Sequence, residues 1–176
     1  GDLRKPILKR IIKSSIKNAS ILLPVIKSLV KTENLYNGDN AEKNQGLDSF
    51  FKLDKLKFKA IYNGIDSNFW KPNPNIKMIE NSFIAVFSNQ QFFLKGGDLI
   101  IELAKDFPNC ISYTAGCDTI PNLKLKPKNL ILLGHISKER LLEYYNQSQF
   151  NLQLSVFEGF GCSLVESMMC KCIPVG

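Results

Sequence analysis

The first eighteen residues carry apolar side chains at Leu3, Ile7, Ile11, Ile12 and Ile16, a spacing that lines one side of a helix. Arg4, Lys5, Lys9, Arg10, Lys13 and Lys17 flank that stripe and Asp2 supplies an N-cap, so the pattern predicts a basic amphipathic helix from Asp2 to Asn18. Ser20 to Ile26 reads as a short buried strand, and Ser28 to Tyr36 as a second helix. Asn37 to Asp48 has no apolar period and is rich in Asn, Gly, Asp, Glu and Lys, which is the chemistry of a surface loop. A strand resumes from Lys57 to Tyr62 and runs into the turn sequence Asn63-Gly64-Ile65-Asp66. Pro72 and Pro74, in an asparagine-rich run, then place an interdomain linker over 63–80.

Beyond Asn81 the pattern becomes regular. Strands are predicted at Phe83–Ser88, Ile111–Ala115, Leu130–Leu133, Phe150–Leu154 and Ile173–Val175. Helices are predicted between them at Gly97–Phe107, Lys138–Gln147 and Cys162–Cys170. This alternation implies an α/β domain whose parallel sheet is covered on both faces. Leu99, Ile100, Leu103, Ala104 and Phe107 form the expected inner side of one helix, and Leu164, Val165, Met168 and Met169 that of another.

A chain of 176 residues is long enough for one good core but short for two complete α/β domains. Because Gly1 stands where a methionine would and the last strand leads nowhere, a piece of a longer protein is expected, cut at both ends. Hydrophobic residues at 44% and charged residues at 22% match ordinary globular usage and favour neither disorder nor a fibrous repeat. Lysines interrupt every apolar run, including Ile21 to Val30, short of the roughly 18 residues a spanning helix needs. The odd set Cys110, Cys117, Cys162, Cys170 and Cys172 lacks metal-type pairing and fits a reducing cytoplasm. The net charge of +7 favours anionic partners without choosing among phosphates, lipid headgroups and nucleic acid.

In open parallel sheets, ligands sit beyond the carboxyl ends of strands, so the loops after Ser88, Ala115, Leu133 and Leu154 are the ones to inspect. Ser155-Val156-Phe157-Glu158-Gly159-Phe160-Gly161 lies between a strand and a helix. Its glycines allow close backbone approach, and the helix start offers N–H groups and a positive dipole end to a phosphate. Glu158 and Glu166 flank that start and neither is needed for a core. Each taken singly could equally be a solvated carboxylate at a helix start. Lys95, just before Gly96-Gly97, is either a surface charge or an anion ligand.

The run Glu158-Gly159-Phe160-Gly161-Cys162-Ser163-Leu164-Val165-Glu166, continued by Ile173-Pro174-Val175-Gly176, resembles the E-x7-E signature of family 4 glycosyltransferases. Asn63-Gly64-Ile65-Asp66 resembles that family's interdomain segment and Leu94-Lys95-Gly96-Gly97 its Lys-Gly segment. Thr114-Ala115-Gly116 and Leu132-Leu133-Gly134 resemble two further glycine sites at strand ends. The blocks occur in family order from about Ile61 to Gly176.

The resemblance implies a GT-B enzyme with Rossmann-like domains. In it, 1–62 would end the acceptor-side domain and 81–176 would form an incomplete donor-binding domain. It implies transfer of a sugar from a UDP- or GDP-sugar, with retention of configuration and without metal or other cofactor, to a glycan or lipid-linked acceptor. Lys95 and Glu158 would be catalytic, Lys95 on the diphosphate and Glu158 on the transferred sugar. Gln90, Gly96, Gly116, His135, Ile136, Gly159, Phe160, Gly161 and Glu166 would bind the donor, with Glu166 on the ribose and His135 in the loop near the base. One departure stands out: Gln90 occupies the place of an arginine usual in the family, so half of the cationic clamp is missing.

That loss keeps a second reading open, a non-catalytic module that binds nucleotide sugars. A third, nucleic-acid binding through the net charge, is disfavoured because the lysines gather early in the chain rather than alternating with aromatics. The fragment alone is expected to be inactive. The setting is expected to be cytoplasmic, with the basic first helix either solvated or resting on an anionic membrane at its inner face.

Overall fold

A computed structural model describes residues 6–30, 46–47, 51, 57–121, 125–155 and 158–176. The chain divides into two compact units, Gly1–Asn63 and Gly64–Gly176, each of which is taken by itself.

In the first unit, helix α1 spans Pro6–Asn18. It opens on proline, whose missing N–H costs nothing in a first helical turn. Ile16 is buried, whereas Ile7 is 75% and Ile11 56% exposed, so only part of the expected apolar stripe is covered. The two anticipated strands reduce to an isolated parallel bridge between Leu22 and Phe58. Leu22 N–H donates to Lys57 O, Lys59 N–H to Leu22 O and Ile61 N–H to Pro24 O. Pro24 has no N–H to extend this ladder. Lys27–Leu29 forms a 3-10 turn where a helix from Ser28 was anticipated. The rest of that helix and the loop through Asp48 lie outside the described residues, apart from 46–47.

The second unit contains five parallel strands: β1 (Ile79–Val86), β2 (Ile111–Ala115), β3 (Leu130–Gly134), β4 (Ser148–Leu152) and β5 (Ile173–Val175). Their spatial order is β3-β2-β1-β4-β5. The connection leaving β1 goes one way across the sheet and the one leading into β4 returns to β1's other side. The crevice between β1 and β4 is therefore the topological switch point at which such sheets bind ligands.

Helix α2 (Gly97–Asp106) covers one face, and α3 (Lys138–Gln147) and α4 (Cys162–Met169) cover the other. The strand period of two sorts β1 between them. Phe83, Ala85 and Phe87 join the cluster with Ile100 and Ala104 of α2, while Ile84 and Val86 join Tyr145 of α3 and Met169 of α4. Phe83 stacks on Phe150 of β4, centroids 5.3 Å apart, at paired register positions.

Two expected helix faces hold only in part, with Ile100, Leu103, Ala104 and Met169 packed as predicted. On α2 the buried residues are Gly97, Ile100, Ile101 and Ala104, with Leu99 and Phe107 about half exposed. Gly97 packs under the Phe92 ring, where a Cβ would lie 2.6 Å from its nearest atoms, while Ile100, Ile101 and Ala104 enter the core. On α4, Ser167 and Cys170 face inward and Met168 is half exposed. The Ser167 hydroxyl is satisfied by donating to Leu164 O at 2.8 Å, so a small polar residue can occupy the tight contact.

The stretch read as a linker belongs, from Gly64 onward, to the second unit. Asp66 Oδ1 accepts from Asn68 N–H, and Trp70 N–H donates to Asp66 O, closing a turn that buries Trp70 against Tyr145 at 5.5 Å. Asn146 of α3 then holds the following prolines' segment: Oδ1 accepts from Asn73 N–H and Nδ2 donates to Lys71 O. β1 accordingly starts at Ile79, ahead of the predicted Phe83.

All five cysteines are free. Cys170 and Cys172 are buried beside Trp70 and Tyr145, and burial pushes their thiols up to about 11 and about 12. Among the described residues no helix is long and apolar enough to cross a membrane.

Candidate active site

The loop after β1 turns through a 3-10 segment, Asn89–Gln91, and delivers Lys95 to the start of α2. Lys95 N–H donates to Gln91 O and Gly97 N–H to Phe92 O, so the turn is closed immediately before the helix. Gly96 caps α2 with φ +71°, and a Cβ built there would lie 2.4 Å from Leu154 O and 2.7 Å from Leu154 Cβ. Only glycine permits this contact, and it presses the β1 loop directly onto the end of β4.

The loop after β4 brings Glu158 to the same place. The Lys95 ammonium forms an ion pair with Glu158 Oε2, the two side chains being 19% and 32% exposed. The pair thus sits at the carboxyl ends of β1 and β4, at the switch point, sheltered but open to a ligand. Glu158 Oε2 also accepts from Gln153 Nε2 at 2.7 Å and from Ser155 Oγ at 3.2 Å. Every described hydrogen bond to this carboxylate falls on that one oxygen.

Gly161 caps α4 with φ +73°, and a Cβ there would stand 3.5 Å from Glu158 Cγ. Gly159 faces open space, since a Cβ placed on it would meet nothing within 4 Å, and Phe160 between them is half-buried. A helix start and the open backbone of Gly159 therefore adjoin the ion pair, an arrangement suited to an anionic ligand with hydroxyl groups.

The remaining predicted residues stand around the same end of the sheet but outside this cluster. Gly116 follows β2 and its N–H donates to Gly134 O at the end of β3. His135 is exposed and Ile136 half-buried between β3 and Ser137, the N-cap of α3. Glu166 lies half-buried on α4, and burial pushes its carboxyl above the usual carboxylate range, partly offset by the Lys138 ammonium at the start of α3. Gln90 is exposed, and no described hydrogen bond joins it to Lys95 or Glu158. Its neighbour Asn89 fixes the loop instead, with Nδ2 donating to Asp118 Oδ1 at 2.6 Å and Oδ1 accepting from Asp118 N–H at 3.0 Å.

Sequence reasoning missed Gln153, Asn151 and the Asn89–Asp118 pair. A signal for the first two was present. β4 and the residues after it read Phe150-Asn151-Leu152-Gln153-Leu154, with amides alternating in a strand whose two faces are both covered. Polar side chains in such a strand must find partners.

A 28% identical segment of 139 residues, covering 68% of this chain, is shared with alpha-galactosylglucosyldiacylglycerol synthase of Streptococcus pneumoniae. The chain spans only 37% of that relative's length. Sucrose-phosphate synthase from Thermosynechococcus elongatus superposes with a TM-score of 0.70 at 13% identity, over 99% of this chain and 45% of that one. Anabaena Alr3699/HepE, solved in complex with UDP, superposes at 0.63 with 17% identity, over 96% of this chain and 48% of that one. These likenesses establish a GT-B-like α/β fold. The family model described as glycosyl transferases group 1 matches residues 69–176, the stretch that carries β1 through β5 and both loops of the switch point. The chain therefore belongs to the glycosyl transferases group 1 family.

Proposed function

We propose that this chain forms the donor side of a retaining glycosyltransferase that moves a sugar from a UDP- or GDP-sugar to a hydroxyl of a glycan or lipid-linked glycan. The reading rests on one observation: Lys95 and Glu158, 63 residues apart in sequence, meet at the switch point of the sheet. A lysine in that position offsets charge developing on a departing diphosphate, and a carboxylate beside it accepts hydrogen bonds from sugar hydroxyls. Glu166 would take the ribose hydroxyls, with the loops at Gly116 and at His135–Ile136 toward the base. Gly96 and Gly159 to Gly161 would let the backbone reach phosphate and sugar. Gln90, which brings hydrogen bonds but no charge, leaves Lys95 as the cation of this cluster. That HepE was solved with UDP supports placing a nucleotide there.

The test is release of nucleoside diphosphate by the full protein against a panel of UDP- and GDP-sugars, with the product's anomeric configuration read by NMR. Glu158→Ala is expected to suppress turnover. Wild-type turnover in that variant would falsify the assignment of the site. Tight UDP or GDP binding with no transfer to any acceptor would instead favour a binding module.

A peripheral membrane contact forms the second part of the reading. Ile7 and Ile11 are exposed on α1 beside Lys9, Arg10 and Lys13, the composition of a helix that lies in an anionic interface. The diacylglycerol-based lipid in the name of the S. pneumoniae relative is consistent with an acceptor at a membrane surface. Co-sedimentation with phosphatidylglycerol vesicles, but not phosphatidylcholine vesicles, is expected and should be lost in Ile7→Asp/Ile11→Asp. Equal binding to both vesicle types would count against it.

A further inference from the structure

We infer that Gln153 is a positioning residue that holds Glu158 and the first turn of α4 in one fixed geometry, an inference that rests on the proposed function of Glu158. The carboxamide works in both directions. Its Nε2 donates to Glu158 Oε2 at 2.7 Å and to Ser155 Oγ at 2.6 Å, while its Oε1 accepts from Ser163 Oγ at 3.3 Å. Two residues back on the same face of β4, Asn151 Nδ2 donates to Ser163 O at 3.2 Å. Ser163, in the first turn of α4, is thereby held through both its hydroxyl and its carbonyl by amides of one strand.

The backbone beneath this arrangement has little freedom. Gln153 N–H donates to Val175 O at 2.8 Å, and a Cβ on Gly176 would lie 2.7 Å from Gln153 O. On the other side Gly96 abuts Leu154. The end of β4 is gripped between the residue preceding α2 and the residue following β5, so the Gln153 side chain starts from a rigid base.

This placement has a chemical consequence. All the described donors converge on Oε2, which leaves the Oε1 side of the carboxylate for a sugar hydroxyl. Without Gln153 the carboxylate is held by Lys95 and Ser155 only and can pivot toward the lysine, drawing the ammonium and the acceptor oxygens away from the donor. A displacement of about 1 Å at such a site can cost on the order of 100-fold in rate.

The experiment uses the full protein, with the nucleotide sugar that the UDP- and GDP-sugar panel identifies as donor. Gln153→Leu keeps the volume and removes the hydrogen bonds. It is expected to lower kcat by about 10- to 100-fold while donor KM stays within about threefold. Gln153→Glu puts a second carboxylate against Glu158, and two such groups share a proton only when the medium is acidic enough. Its kcat is expected to recover as pH falls from about 8 to about 6, giving a limb that neither the wild type nor Gln153→Leu shows. Lys95 is the charged group facing this pair among the described residues.

Gln153→Leu within twofold of wild type, or a Gln153→Glu profile parallel to that of wild type, overturns the role of Gln153 while leaving Glu158 in place if Glu158→Ala is inactive. A Gln153→Leu effect confined to KM also overturns it, because the residue would then be touching substrate. Wild-type turnover in Glu158→Ala, or no turnover of the wild type with any donor of the panel, overturns both readings.

Discussion

Replacing Gly96 by alanine tests the packing that brings the two site loops together. An alanine at φ +71° costs about 1–2 kcal/mol for the left-handed backbone alone. Its methyl would also stand 2.4 Å from Leu154 O, a backbone atom that cannot swing away without dragging the end of β4. Overpacking of this kind costs a further 1–3 kcal/mol or so, giving about 2–5 kcal/mol in total. Against a domain stability of about 5–15 kcal/mol, that is a large fraction. Trp70 is the sole tryptophan of the 176 residues and is buried in the second unit, so its emission reports on the unfolding of that unit. With a urea dependence of about 1–3 kcal/mol per molar, the midpoint of Gly96→Ala should fall by on the order of 1–2 M. Gly159→Ala is the control, since a Cβ there meets nothing within 4 Å, and it should unfold like wild type. If the two variants share one midpoint, the proposed contact between the β1 loop and β4 is wrong.

Lys95→Met should lower turnover of the full protein by about 100- to 1,000-fold yet shift the urea midpoint little, because a half-sheltered ion pair stabilises weakly; rates and midpoints measured side by side check this. Glu166 is held above the usual carboxylate range by burial, so the fold binds its proton more tightly than the unfolded chain does. Its contribution to stability is therefore full at acidic pH, below the unfolded value, and is lost as pH rises through the raised folded value. Glu166→Gln should remove that fall, which urea midpoints between about pH 4 and 8 will show as a flatter profile. Asn129 Nδ2 donates to Ala104 O, Phe107 O and Cys110 O, closing the end of α2. Asn129→Asp, which offers those carbonyls only acceptors, should cost about 1–3 kcal/mol, and an unchanged melting temperature would remove this cap from the account.

The order of strands and helices in the second unit was legible because turn glycines and changes of apolar period mark each junction. Lys95 and Glu158 were legible because each stands in a short motif at a strand end. What the sequence concealed were consequences of close packing. Leu99 and Met168 look like core residues by period, yet they are about half exposed, while Gly97 and Ile101 on one helix and Ser167 on the other take inner positions. The segment after Asn63 looks like a linker because of its prolines, yet Asn146, far along the chain, supplies the hydrogen bonds that seat it. Gln153 escaped notice because its place in an apolar strand drew attention to the fold, although its partners Ser155, Glu158 and Ser163 all follow within ten residues. In the first unit, apolar runs at Ser20–Ile26 and Lys57–Tyr62 did find each other, but with a single bridge between them.

Cys170 and Cys172, separated only by Lys171 and both buried, give the molecule a built-in clock. With thiols pushed up to about 11 and about 12 and both side chains buried, almost none of either is thiolate exposed to an alkylating reagent at neutral pH. Half-buried Cys110 and Cys162 should be modified first. Slow double modification at positions 170 and 172 would then time the rare openings in which Trp70 and Tyr145 part from the sheet, residue by residue and without denaturant.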